Sequence, residues 1–294
     1  MKKILVLASA AAVALGLWAQ ETAVYRRPGS PLFEAISQSI IRESGKAGLG
    51  TPAGPVDVKP GTAGALKDLA GLKGLKHVWA VGPDAATLAV RDPYLSGVHV
   101  FVPNPYVPGL SASSAWAGVS PYPDPRIVFR FLKTRLGVQK PVMVYTKKNT
   151  EEVARIFEAA AREEKVSCTL AGLAGPEDLQ AALGPALASA DAVLLPMDAI
   201  AFSSDAVRFI VTSCLEQKKP VVGFLQSITQ AGVALALYAP PEEIGRAACA
   251  VMQELRQKGG GKKVYHPVRL KVDTNAEAAK QLGLAVSAGE EYGG

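Results

Sequence analysis

Residues 192–204, AVLLPMDAIAFSS, run on through KPVVGFLQSITQAGVALALYAPPEEIGRAA at 219–248 to LKVDTNAEAAKQLGL at 270–284. Two continuous apolar runs stand in this region, Ala192 to Leu195 and Val221 to Leu225, with amphipathic segments around them. A strand buried on both faces of a parallel sheet reads this way, whereas a half-solvated antiparallel strand alternates. The polar residues fall where each run stops, and in open α/β sheets that edge receives ligands.

The same alternation extends upstream. Further strand-like runs occur at His77–Val81, Val98–Val102, Val142–Tyr145 and Val166–Leu170, and downstream ones at Val233–Tyr238 and Val268–Val272. Helices separate most of them. Asn149 is placed as an N-cap with Glu152 in the capping-box position, ahead of an apolar face of Val153, Ile156, Phe157 and Ala160. Val207, Ile210, Val211, Cys214 and Leu215 repeat at helical spacing after Ser203 and Asp205, and another helix opens on Pro240 and Pro241. The predicted fold is α/β, with two Rossmann-like doubly wound lobes.

Three polar or proline-rich stretches divide the chain: Ser120–Pro125, Gln226–Gln230 and Lys262–Pro267. Read as crossings, they make a three-strand hinge. Residues 20–118 plus 227–261 then form lobe 1, and 119–226 plus 262–294 lobe 2. The Gly/Pro-rich stretch 45–60 reads as a surface loop leading into a strand, and the tail 288–294 as frayed.

The N-terminus sets an expected compartment. Lys2 and Lys3 precede an apolar run from Ile4 to Trp18, with Leu17 and Ala19 before Gln20 as a cleavage signature. The run falls short of the roughly 20 residues that span a bilayer, so residues 1–19 are read as a cleaved export signal. The retained N-terminal anchor is the alternative. No Cys follows the run, which argues against lipidation and for a free periplasmic protein.

Lys and Arg number 32 against 26 Asp and Glu, a net charge of +6, and they are dispersed along the chain. That is a solvated surface rather than a nucleic-acid footprint. Cys168, Cys214 and Cys249 have no metal or redox spacing. They read as buried small side chains, with a disulfide left open in an oxidising compartment.

Catalytic and cofactor motifs are incomplete. Gly48–Gly54 carries Ala53 where a dinucleotide loop needs its third glycine, and Gly259–Lys263 lacks the upstream Gly and the Ser/Thr of a phosphate loop. Gly109–Ser113 lacks the last glycine of a nucleophile elbow. His77, His99 and His266 stand apart from one another. Neither a metal site nor a cofactor is expected, and binding without chemistry is the simpler reading.

Several segments, taken in order, resemble one family: VGPDAA at 81–86, VHVFVPNPYVPGL at 98–110, AGVSP at 117–121, LPMD at 195–198, GVALA at 232–236, IGRAA at 244–248 and NAEAAKQLGL at 275–284. They are similar to ABC-transporter substrate-binding proteins related to the tryptophan/tyrosine-binding type, of type I periplasmic-binding-protein fold. The resemblance runs from about Leu75 to Val286. It implies a monomer that takes a small-molecule ligand between two lobes and delivers it to an ABC permease driven by a separate ATPase. A receptor that reports to a signalling or envelope partner without transport is the alternative.

Position nominates the ligand-facing residues. Gly82 and Asp84 sit where a strand gives way to a helix whose N-terminus favours an anion, and Ser30 offers a hydroxyl nearby. Asp198 ends a strand in lobe 2, where a carboxylate suits an ammonium, and it matches the family's acidic position. Asn104 matches a position where the family more often has an acid before proline. Ser120, Tyr145 and Gln226 also lie at strand ends, and Trp116, Tyr122 and Phe202 are candidate walls for a ring. Ser30 and Asp84 equally read as helix caps, and Asp198 as a turn former. Ala199 replaces the asparagine that usually follows the motif acid, and the region before Leu75 is shorter than the family's.

Overall fold

The computed structural model describes residues 21–58, 74–111, 113–258 and 264–293. The export signal expected at 1–19 and the basic glycine run at 259–263 lie outside the described residues.

Unit 1 comprises the chain up to Val119 together with Ile244–Tyr265. It opens with β1 (Thr22–Arg26), α1 (Pro31–Lys46), β2 (Ala53–Asp57), β3 (His77–Val81) and α2 (Pro83–Ala89). It continues with β4 (Ser96–Val100), α3 (Pro108–Ser111) and β5 (Trp116–Val119). Unit 2 takes 120–243 and 266–294. Its first elements are α4 (Pro125–Leu136), β6 (Pro141–Thr146), α5 (Lys147–Glu163), β7 (Thr169–Leu173) and α6 (Leu179–Ser189). Next come β8 (Ala192–Leu195), α7 (Ser204–Glu216), β9 (Val221–Gly223) and β10 (Leu235–Tyr238). The chain then builds α8 (Pro241–Lys258) and β11 (Val264–Tyr265) back into unit 1. It ends in unit 2 with β12 (Arg269–Thr274), α9 (Ala276–Leu282) and β13 (Glu291–Gly293).

The first sheet runs β11-β5-β4-β3-β1-β2, and every pairing in it is parallel. The second runs β13-β12-β10-β9-β8-β6-β7, parallel except for β12, which is antiparallel to both neighbours. Both are doubly wound. The order reverses between β1 and β3 in unit 1 and between β6 and β8 in unit 2, and loops at such reversals open a crevice.

Local sequence explains most helix starts. Ser203 caps α7 by accepting from Ala206 N, and Asn275 caps α9 by accepting from Ala278 N. Asp124 caps α4, whose C-terminus closes on Gly137 in the left-handed region. Asn149 does not begin its helix as expected: α5 starts at Lys147, with a break at Thr150 (φ −132°, ψ 18°). Thr150 is buried and bonded to Asp198, which holds it out of helical geometry.

The lobe boundaries need correction. The expected return to lobe 1 at residue 227 is not made, because β10 pairs with β9 and β12 inside the second sheet. The stretch Gln226–Ala231 is a 3-10 turn within unit 2, and the chain leaves that unit only at 243/244, in the first turn of α8. The other passages fall at 119/120 and 265/266, inside or beside the expected stretches. The tail is ordered through β13, where Leu270 pairs with Tyr292, rather than frayed.

Each unit has its own core. In unit 1, Trp79 is fully buried and its indole N–H donates to Ala248 O at 3.1 Å, fixing α8 to the sheet. In unit 2, Tyr122, Phe129, Phe157 and Phe224 pack edge to face, with ring centroids 5.1–6.0 Å apart. Among the described residues no helix is long and apolar enough to cross a membrane. The three cysteines are free thiols, and burial pushes each up to about 12.

Candidate functional site

The reversal between β1 and β3 gathers Arg27, Ser30, Gly82 and Asp84 at the C-terminal edge of unit 1's sheet. Ser30 acts first as a cap: its hydroxyl accepts from Phe33 N at 3.3 Å and its carbonyl from Glu34 N at 3.0 Å. Gly82 has φ +88°, and a Cβ there would sit 2.7 Å from the Phe33 ring. Backbone angle and ring contact both require glycine. Its amide is already used, donating to Val100 O at 2.8 Å.

Asp84, the first-turn acid of α2, lies 3.4 Å from the Arg27 guanidinium. Arg27 remains mostly exposed and Asp84 partly so. Phe33 and Phe101 meet edge to face at 6.0 Å on the same edge, and Phe101 is held in the left-handed region at φ 58°. A non-glycine residue there costs about 1–2 kcal/mol, which the 3.1 Å bond from Phe101 N to Val119 O helps to offset.

Asn104 is half-buried and accepts from Tyr106 N at 3.1 Å, which makes it a turn former. Ser120 is fully buried and accepts from Tyr122 N at 3.1 Å. Trp116 does not join this edge. It begins β5, at the opposite end of a parallel strand, and is 3 % exposed in an apolar cluster with Leu110 and Ala85.

In unit 2 the reversal lies between β6 and β8, and Asp198 spans it. Its carboxylate accepts from Thr146 N (3.1 Å) and Thr146 Oγ1 (2.5 Å), and from Thr150 Oγ1 (2.5 Å). Ile200 N (2.8 Å) and Ala201 N (3.1 Å) complete the set. Burial pulls the carboxyl upward, but these hydroxyl and amide donors outweigh it and hold the group below its ordinary 3.8. A carboxylate offers about four lone-pair directions, so five donors leave no capacity for a ligand ammonium. Asp198 is 3 % exposed and clamps the start of α5 to the loop after β8. The sequence nominated it as a ligand contact; the geometry assigns it the turn-forming role.

Phe202 is half-buried against the unit 2 core, with its amide on Asp198 O at 3.0 Å. Gln226 is exposed at the end of β9, and its carbonyl accepts from Thr229 Oγ1. Tyr145 lies flat on the sheet over Gly172 of β7, its hydroxyl 2.7 Å from where a Cβ would stand, so it points away from the β6/β8 reversal. A groove of about 320 Å³ lies elsewhere in unit 2, lined by Ile127, Arg130, Glu291 and Tyr292. Among the described residues no group of three His, Cys, Asp or Glu is placed to hold a metal.

Sequence reasoning did not flag Arg27, Phe33 and Phe101 in unit 1, or Thr146 and Thr150 in unit 2. A polar Thr at the end of the apolar run PVMVYT was a readable signal for Thr146. Nothing local marked the positive φ of Phe101.

No protein-family description matches the sequence, and no curated protein does either. Solved structures do. A ligand-free, open substrate-binding protein with adhesive properties from Clostridium difficile is 14 % identical, with a TM-score of 0.65 over 92 % of this chain and 96 % of its own. An ABC domain in complex with L-Trp from Streptococcus pneumonia is 15 % identical, with a TM-score of 0.57 over 90 % of this chain and 96 % of its own. A XylFII–LytSN complex aligns with 12 % identity and a TM-score of 0.56, over 88 % of this chain and 99 % of its own. At these identities the likeness is one of fold. The chain has the two-lobe α/β fold of ABC-transporter substrate-binding proteins of the type I periplasmic-binding class.

Proposed function

We propose that this chain is an exported solute-binding receptor of an ABC importer, which captures a small polar or zwitterionic solute and catalyses nothing. The observation that carries the reading is the pair of strand-order reversals, one per unit, each with polar loops at the C-terminal strand edge. In unit 1 a cation and an acid stand together at that edge, Arg27 and Asp84 3.4 Å apart. A ligand carboxylate on Arg27 and a ligand ammonium on Asp84 replace one salt bridge by two, which suits an amino acid. Ser30, Gly82 and Asn104 shape that loop set. In unit 2 the contacts come from exposed Ala199 and half-buried Ile200 and Phe202 on the loop that Asp198 holds in place, with Gln226 past the next strand end. Asp198 and Ser120 serve from behind.

The export signal, the periplasmic location, the monomeric state and the permease with its separate ATPase belong to this proposal. The alternative, a receptor that reports to a signalling partner without transport, is supported by the neighbour solved as a XylFII–LytSN complex. Adjacent permease and ATPase genes separate the two.

A thermal-shift screen of the purified chain against amino acids, sugars, nucleosides and small anions tests the proposal. A solute at 100 times its dissociation constant adds about 2.7 kcal/mol, a readily visible rise in Tm. Silence across all four classes counts against a small-solute receptor.

A further inference from the structure

We infer that Tyr122 is the positioning residue of the unit 2 loop at 196–202, tying its backbone to the two places where the chain enters that unit. Tyr122 is the third residue past the passage at 119/120 and is fully buried. Its hydroxyl accepts from Met197 N at 3.1 Å, a bond that spans 75 residues. Its amide donates to Ser120 Oγ at 3.1 Å, and its carbonyl accepts from the His266 ring Nδ1 at 3.2 Å. His266 is the first residue past the other passage into unit 2, at 265/266. One residue on, Asp124 N donates to Pro267 O at 2.8 Å, so the two entering segments are bonded side by side.

The ring makes this arrangement stiff. It is held edge to face by Phe157 of α5 at 5.8 Å and by Phe224, which follows β9, at 5.5 Å. Those two rings meet each other at 5.1 Å. With its ring locked, Tyr122 has no freedom to follow Met197 if the loop shifts. Because Tyr122 belongs to one entering segment and its carbonyl is bonded to His266 of the other, its hydroxyl ties the Met197 amide to both. Asp198, the next residue, carries the loop's remaining anchors to Thr146 and Thr150. Two adjacent residues of the loop are thus held, one by the entering segments and the other by the start of α5. The ring packs among the core aromatics, while the hydroxyl accepts from the loop backbone.

This role rests on the reading of 196–202 as the ligand-facing loop, but its test needs no ligand. Hydrogen exchange of backbone amides is measured on the full chain, on Tyr122→Phe and on His266→Ala, all without added solute. Tyr122→Phe should speed exchange at Met197 about fivefold, the effect of losing one neutral hydrogen bond. The amides of β6 and β8 should keep their rates. His266→Ala should speed the same amide by a smaller factor, although His266 does not touch it. Unchanged exchange at Met197 in either variant overturns the inference, as does an acceleration spread evenly over β6 and β8, which would make Tyr122 a core residue only. A failed solute screen would sink the receptor reading and leave these exchange results standing.

Discussion

The two strand-order reversals occupy equivalent places in their sheets but are built on opposite electrostatic plans. At β6/β8 a buried carboxylate is saturated by five protein donors, and the loop around it is rigid from within. At β1/β3 the acid is partly exposed, with its buried Oδ2 free of hydrogen bonds and facing one exposed arginine, and it sits beside a glycine and two aromatic rings. Unit 1 also buries polar atoms with no hydrogen-bond partner, the Tyr25 hydroxyl and both His99 ring nitrogens, in one row of its sheet. An acid at a strand end is thus no guide to ligand contact until its donors are counted. The saturated one belongs to the scaffold.

Removing the saturated acid tests this most severely. Asp198→Ala leaves two hydroxyls and several amides without an acceptor, at about 1–3 kcal/mol each before water relieves some of them. We expect about 4 kcal/mol lost in denaturant unfolding. A cost below about 1 kcal/mol would mean the carboxylate is not a clamp.

The next effect belongs to unit 1 and to pH. His99 is 1 % exposed, its ring stands against Gly118 where a Cβ would fall 2.1 Å away, and burial lowers its pKa to about 4. The unfolded chain, near 6.5, binds the proton more readily, so folding stability rises with pH between those values. It is fully present above 6.5 and falls as pH drops toward 4, by at most about 3 kcal/mol. Urea unfolding at pH 7 and pH 4.5 should show that loss in the native chain and little of it in His99→Gln. An equal loss in both would place the acid sensitivity elsewhere.

The smallest effect is at the exposed acid. Asp84→Ala should change stability by less than about 1 kcal/mol, because the Arg27 partner is exposed and the paired Oδ2, itself buried, accepts no hydrogen bond whose loss would add to the cost. The same substitution should weaken binding of any amino acid found by the screen. A large stability loss with no effect on binding would reverse the assignment of the two acids.

Much of the fold was legible because its signals are local. Ala192–Leu195 and His77–Val81 are strands with the bounds read from the sequence, and the capping residue before α7 is Ser203. What escaped was short or non-local. Trp116–Val119 and Val264–Tyr265 are too brief to show periodicity, and the second passage between units hides inside a regular helix start. The role of Asp198 depends on threonines 48 and 52 residues away, which no window around LPMD contains. Trp116 was misplaced because its strand was not recognised, so its end of the strand was not either.

As the receptor proposed above, this chain holds one small solute and returns it unchanged. Equilibrium dialysis of the purified chain against the strongest solute from the screen tests it most directly. We expect saturation at one molecule per chain, with the solute recovered intact and binding weakened by Asp84→Ala. Solute consumed during dialysis, or no retention of any solute class, would contradict it.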